Sequence, residues 1–397
     1  MKKIKLVVFL ILIFIITGCG KTESKEDKAQ EEKEKLVIWS YYETKAQQNG
    51  LDWLVKEFNQ SQDKYEASWE YVPMTDFTKK LTMAYTEESL PDIALLDNPN
   101  VLTCIQMGMC EQITEFLEEI DAKETYYPST LETVTYENEG YGLPAVCNNL
   151  ALIYNKEMLK EAGITPPKTW DELKEDARLL TTDTTKGFLI SAKEGEQGAF
   201  QLLPWILSTG ESVDSIGGEG TQKAFLYLND LMENGYMTPN CINLSQTDIA
   251  RAFVDGDVAM MQNGPWVLSM LDESGIEYGI SKLPEDEKNC VIVGGEDFTI
   301  MKGKNVEGAK CFLKYYNQDE VMSQFCKMTS VLPTKKNITE YDVEKMDIFK
   351  QQMENAVVRS SIPHWMNLSE ALPKAFYEMV SGQKSPTGAA ESLKGGQ

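Results

Sequence analysis

The chain has 397 residues, 42% of them hydrophobic and 25% charged, which supports a packed core in more than one domain and rules out wholesale disorder. Asp and Glu number 62 against 38 Lys and Arg, a formal charge of −24, so nucleic-acid backbones and anionic membrane surfaces are repelled. The one histidine, His364, excludes a multi-histidine metal site and leaves a Ser-His-Asp arrangement a single possible base.

Lys2, Lys3 and Lys5 precede an unbroken apolar run, Leu6 to Ile16, which as a helix rises about 16 Å, roughly half of what a bilayer core needs. The run reads as the apolar part of a secretory signal over residues 1–19. It ends in Ile16-Thr17-Gly18-Cys19, which resembles a bacterial lipobox, where the Cys19 thiol accepts a diacylglycerol before cleavage. An ordinary signal with a chance cysteine is the competing reading. Acyl chains on Cys19 would anchor the protein to the outer face of the cell membrane. Residues 20–35 contain no large apolar side chain and read as a solvated tether, with a folded body from about Leu36.

Seven cysteines follow Cys19, an odd number, so at least one stays unpaired. No Cys-x-x-Cys occurs, which removes support for zinc-ribbon and thioredoxin readings. Cys104 and Cys110 are close enough in sequence for a local bridge; the alternative is that all seven are small buried apolar residues.

In chain order, Leu36 to Trp39 suits a buried strand, and Leu51, Leu54, Val55 and Phe58 mark an amphipathic helix. Tyr65, Ala67, Trp69 and Tyr71 alternate like a half-buried strand. Phe77, Leu81, Ala84 and Tyr85 mark the next helix, and Asp92 to Leu96 the next strand. This alternation predicts βαβ units and a largely parallel sheet, with ligands outside the carboxyl ends of its strands. Leu150, Leu152 and Tyr154 alternate again, and Thr169 and Glu172 fit a reciprocal helix cap. Val258 to Met261 and Val291 to Val293 read as buried strands. Helical stripes follow at Ala224, Leu228 and Leu231; at Val306, Ala309, Leu313 and Tyr316; at Met346, Phe349, Met353 and Val357; and at Leu372, Phe376, Met379 and Val380. There is no phosphate-binding Gly-x-x-x-x-Gly-Lys-Ser/Thr, and Gly217 to Gly220 read as a surface turn.

Several stretches carry a resemblance together: KLVIW at 35–39, PDIALLDNPN at 91–100, YGLPAVCNNLALIYNKEMLKEAG at 141–163, PKTWDEL at 167–173 and AFVDGDVAMMQNGPWVL at 252–268. With the lipobox and tether before them, they resemble the extracellular solute-binding proteins of bacterial ABC importers, in the maltose-binding-like, sugar-binding group. The resemblance implies an α/β fold of two lobes with a hinge and the ligand between them. It places crossovers near Pro144 to Val146, Gly294 to Phe298 and Met328 to Leu332. The N-lobe is then 36–146 plus 298–328, and the C-lobe 147–297 plus 329–397. It also implies a monomeric receptor that performs no chemistry, needs no cofactor or metal, closes on a neutral or weakly polar oligosaccharide and delivers it to membrane permease subunits.

Within that resemblance, Trp266 follows Pro265 at a helix start and offers its ring to the C–H face of a pyranose, with core packing as the alternative. Asp97 and Asn98 end a strand, where a carboxylate accepts two sugar hydroxyls; an Asx turn before Pro99 is the alternative. Tyr41, Tyr42 and Glu43 follow the first strand, where this group commonly contacts ligand, and Asn148 follows the first crossover. Trp205 lies in the lobe where the family places aromatic platforms, and Glu296 adjoins Gly294-Gly295, which permit close backbone approach. Arg359 and Trp365 flank Pro363 in a loop able to face the cleft, while His364 reads as a surface residue or one set behind the ligand contacts.

Two other readings stand beside this one. A secreted carbohydrate-active enzyme needs only two carboxylates at a set separation, which an acidic chain can supply. The same fold can also hold a polyamine, a peptide or a metal complex, the last through Tyr41 and Tyr42.

Overall fold

Leu36 and Ile38 turn to one face of the first strand and Trp39 to the other, because successive side chains alternate across a pleat. This strand, β1 (Glu34–Ser40), lies between β2 (Tyr65–Tyr71) and β3 (Ile93–Asp97), and all three run parallel. The computed structural model describes residues 33–338, 345–353, 356–359, 362 and 364–395. The signal, Cys19 and nearly all of the tether lie outside the described residues. The first strand begins at Glu34, two residues earlier than the sequence predicts, because Glu34 and Lys35 already pair with Tyr65 and Glu66.

The helix Lys45–Ser61 is capped reciprocally: the Thr44 hydroxyl accepts the Gln47 N–H and the Gln47 side chain accepts the Thr44 N–H. Its predicted stripe is buried, and Phe58 meets Phe312 edge-on with ring centroids 5.1 Å apart. The helix Met74–Thr86 buries Phe77, Leu81 and Ala84 on the opposite face of the sheet. A hairpin, β4 (Thr135–Tyr136) and β5 (Glu139–Gly140), precedes β6 (Gly142–Asn148), which is buried along its length.

The chain then enters a second sheet made of β7 (Ala151–Asn155), β8 (Lys186–Leu189), β9 (Val258–Asn263) and β10 (Tyr278–Ser281), in the order β10-β7-β9-β8. It returns to the first sheet in β11 (Ile292–Ile300), β12 (Leu332–Pro333) and β13 (Val357–Val358). The first sheet has the order β12-β6-β11-β3-β1-β2, with β13 beside the start of β11. The expectation of a largely parallel sheet holds in part: β1, β2 and β3 run parallel, as do β13 with β11 and, in the second sheet, β8 with β9. Strand β11 is antiparallel to both β3 and β6, since β3 and β6 run toward the second lobe and β11 comes back from it.

Sheet membership puts the crossings at other residues than the motifs suggest. Strand β6 stays in the first sheet until Asn148 pairs with Gly294, so the first passage is Asn149-Leu150. Strand β11 is paired from Ile292 onward, so the second passage lies before it. Thr334 still donates its hydroxyl to Pro144 O in the first lobe, which puts the third passage after β12. The first and third passages are tied together, with Asn149 Nδ2 donating to Phe349 O at 2.8 Å and Gln352 Nε2 to Asn149 Oδ1 at 3.0 Å.

Two further expectations shift. The stripe from Met346 to Val357 is not one helix: a helix spans Asp347–Gln352, and Val357 belongs to β13, drawn off by pairing with Ile292. The cap at Thr169 is half of a box, because the Glu172 carboxylate accepts the N–H of Lys168 rather than that of Thr169. None of the seven cysteines from Cys104 onward is in a disulfide, and Cys104 and Cys110 share one apolar cluster without a bridge.

Candidate functional site

Strand direction brings the polar ends of the first sheet to one edge. Tyr41 and Glu43 follow β1, Tyr71 ends β2, Asp97 ends β3, Asn148 ends β6 and Glu296 lies midway along β11, paired with Asp97. The second lobe answers with Glu196, Gln197 and Phe200 from the helix Glu196–Ser208, Gln246 and Thr247 from the helix Gln246–Val254, and Trp266 beyond β9. Between them is an open cleft of about 820 Å³, a volume that includes the solvent at its mouth. The lobes touch beside it, where Gln197 Nε2 lies 3.9 Å from Met74 Sδ.

Arg359 is the electrostatic centre. It is 3% exposed and makes a forked pair with Asp97, Nη2 to Oδ1 at 2.7 Å and Nη1 to Oδ2 at 3.1 Å. Its Nη1 also donates to Glu196 Oε1 at 2.5 Å, its Nε to Val293 O at 3.2 Å, and its guanidinium lies 4.7 Å from the Phe200 ring centroid. The Asp97 side chain makes no hydrogen bond to the helix Asn98–Gln106 that it precedes, so it is available to Arg359 rather than to an Asx turn. Burial alone would lower the Arg359 pKa, but Asp97 and Glu196 more than offset this and raise it. Burial pushes Glu196 up to about 7, with Arg359 opposing the shift and Asp97 adding to it.

Glu296 forms the second charged centre. Tyr41 Oη donates to its Oε1 at 2.8 Å and Tyr42 Oη to its Oε2 at 3.3 Å. Burial raises it to about 7, Asp97 adds to the rise, and the two tyrosine hydrogen bonds and Arg359 oppose it. Its neighbour Asp297 faces away from the cleft and is pushed up to about 8 by burial, against hydrogen bonds from Asn98 Nδ2 at 2.8 Å and Thr133 Oγ1 at 3.1 Å. Strand β11 reaches the cleft because two glycines, Gly294 and Gly295, precede Glu296 in it. A Cβ on Gly294 would lie 2.2 Å from Asn148 Oδ1, and Gly295 has a φ of +136°.

Trp266 is half-buried in a short 3₁₀ turn, Pro265–Val267, with its ring 6.4 Å from that of Phe200. The indole lies back over Gly264, where a Cβ would stand 1.9 Å from a ring carbon, so that position requires glycine. Two aromatic faces and two carboxylate centres thus meet across the cleft, a set suited to a ligand with both apolar C–H faces and hydroxyl groups.

Of the residues singled out from sequence, Tyr41, Glu43, Asp97, Asn148, Trp266, Glu296 and Arg359 line this cleft. Four do not. Tyr42 is fully buried, stacks on Phe325 and reaches Glu296 from behind. Asn98 is turned to Asp297 by β11 pairing alongside β3. Trp205 is 2% exposed in the second lobe's core, packed on Trp170, Phe188 and Tyr227, and donates to Gln262 Oε1 at 2.8 Å. Trp365 is buried and donates to Glu196 Oε2 at 3.1 Å, so it orients a lining residue without being one. His364 is exposed.

Sequence reasoning missed Glu196, Gln197, Phe200, Gln246 and Thr247. A signal existed for the last two, since Ser245 and Asp248 form a reciprocal cap and mark a helix start directly before the cleft. Glu196 opens a helix after Gly195, in a run that reads as an ordinary polar loop. Among the described residues, no three His, Cys, Asp or Glu side chains converge to hold a metal ion.

The family model for bacterial extracellular solute-binding proteins matches residues 53–352. The chain belongs to this family. Among relatives of this solute-binding chain is the galactooligosaccharide-binding protein of Bacillus subtilis, 23% identical over 96% of this chain and 93% of that protein. The maltodextrin-binding protein of the same organism is 26% identical over 64% of this chain and 65% of its own length. Among solved structures, the GacH receptor of Streptomyces glaucescens, studied unliganded and with acarbose, superimposes with a TM-score of 0.82 at 24% identity, covering 91% of this chain and 96% of that one. The maltose/maltodextrin-binding domain of Bdellovibrio bacteriovorus bound to maltotriose gives 0.80 at 19% identity, over 91% and 98%. The architecture is therefore that of maltose-binding-like binding proteins, and the family and these neighbours bind solutes rather than transform them.

Proposed function

We propose that this solute-binding protein captures an oligosaccharide in the interlobe cleft and hands it, unaltered, to the membrane permease subunits of an ABC importer. The observation that carries the reading is the pairing of the Trp266 and Phe200 rings with Tyr41, Asp97 and Glu296 around one cleft between two lobes. Rings take the C–H faces of a sugar, and carboxylates and hydroxyls take its alcohols. The named relatives bind galactooligosaccharides and maltodextrins, which supports the same ligand class here. On this reading the protein acts as a monomer, held to the outer face of the cell membrane through acylated Cys19 and a tether over residues 20–35.

A thermal-shift screen against galacto-, malto-, cello- and chito-oligosaccharides tests it. A ligand that binds only the folded state raises the melting temperature, by about 2.7 kcal/mol of stability at a hundredfold excess over Kd. At least one oligosaccharide is expected to do so, and to be recovered intact afterwards. No shift from any of them, or release of cleavage products, contradicts the proposal.

A further inference from the structure

The cleft's charges do not balance. Its lining carries four carboxylates, Glu43, Asp97, Glu196 and Glu296, and among the described residues one cation, Arg359. That cation is fully engaged: its three nitrogens go to Asp97, Glu196 and the Val293 carbonyl, and its face lies on Phe200. No donor of positive charge is left for an anionic ligand. Glu43 is exposed at the rim, where water screens it. Glu296 is different, being 7% exposed and supported by two neutral phenol hydroxyls with no ion pair. A buried carboxylate without a cation is costly, and at the wall of a binding cleft a ligand can supply the missing charge.

We infer that this cleft is built for a glycan bearing a protonated amino group, that Glu296 is the residue that meets it, and that glycans bearing carboxylate or sulfate are turned away. The inference rests on the sugar-binding reading and adds to it a charge specificity. An ammonium near Glu296 replaces the proton that burial otherwise keeps there: the group sits at about 7 with Arg359 already drawing it down, and an ammonium in contact lowers it further. Binding an amino glycan near pH 7 therefore releases protons, whereas binding the neutral glycan does not. The overall formal charge of −24 acts in the same sense, slowing the approach of anions and favouring cations.

The test is isothermal titration of the full protein at pH 7 and low salt with maltotriose, cellotriose and galactotriose. Each is used in three forms: neutral, 6-amino-6-deoxy and C6-uronate. On whichever backbone binds, the amino form is expected to bind roughly tenfold more tightly than the neutral form and the uronate roughly tenfold more weakly. The amino form alone is expected to show a heat that varies with buffer ionisation enthalpy, with the sign of proton release. Glu296→Gln is expected to abolish the amino preference and the proton release. Because that change also disturbs two tyrosines, Glu43→Gln serves as a second variant, shifting the order in the same direction by less. Equal affinity for amino and uronate forms, or an unchanged order in Glu296→Gln, overturns the inference while the sugar reading stands. Failure of all the probes to bind overturns the inference, and the sugar reading then stands or falls by the thermal-shift screen.

Discussion

Arg359 holds one carboxylate from each lobe, Asp97 and Glu196, so replacing its guanidinium leaves one buried and one half-buried carboxylate with no cation. Breaking a buried pair from one side costs about 3–5 kcal/mol. Arg359→Met is expected to lose that much in denaturant unfolding, and Arg359→Lys to recover only part of it, since an ammonium cannot fork to Asp97 and still reach Glu196. A loss below about 1 kcal/mol would mean that the network is not a stabilising contact. Trp266→Ala makes the opposite kind of change. The ring is half-buried over Gly264 and Phe200 at the cleft, so oligosaccharide affinity should fall roughly tenfold or more while the melting temperature without ligand stays nearly constant. Unchanged affinity would remove Trp266 from the site.

At the level of elements, helix Glu196–Ser208 does two jobs with one sequence: its first turn supplies Glu196, Gln197 and Phe200 to the cleft, and the rest is buried on every face. Trp205→Ala in its buried part is expected to cost about 3–5 kcal/mol of stability. Any ligand affinity measured on the fraction that stays folded should be close to that of the parent protein. This contrast explains what was legible in the chain. Leu51, Leu54, Val55 and Phe58 announce their helix because burial imposes a period, and Asp97 and Trp266 announce themselves because each ends a recognisable strand. Trp205 misleads because a tryptophan's type does not say which side of a lobe it faces; Phe188, Trp170 and Tyr227 decide that through pairings far apart in sequence. Glu196 was invisible for the same reason, since its partners Arg359 and Trp365 lie more than 160 residues away.

For the molecule as a whole, two buried acids and a half-buried one couple stability to pH. Glu196 and Glu296 are raised to about 7 and Asp297 to about 8, chiefly by burial, whereas in the unfolded chain they titrate near 4.5, 4.5 and 3.8. Between those limits the native state holds more protons than the unfolded state, so stability is greatest below about pH 4.5 for these groups and falls as pH rises through 7–8. Unfolding without ligand should therefore require less denaturant at pH 8 than at pH 5.5, with the slope reduced in Asp297→Asn. Greater stability at pH 8 would show that these carboxyls are ionised in the fold. The two lobes meet around the cleft while three chain passages join them, and the account's central claim is that this cleft holds an oligosaccharide. The most direct measurement is a crystal structure with the tightest binder from the thermal screen. The account predicts an intact sugar between the lobes, one ring against Trp266 and its polar groups within hydrogen-bond distance of Glu296 or Asp97; a sugar bound elsewhere with the cleft vacant, or one cleaved in place, would contradict it.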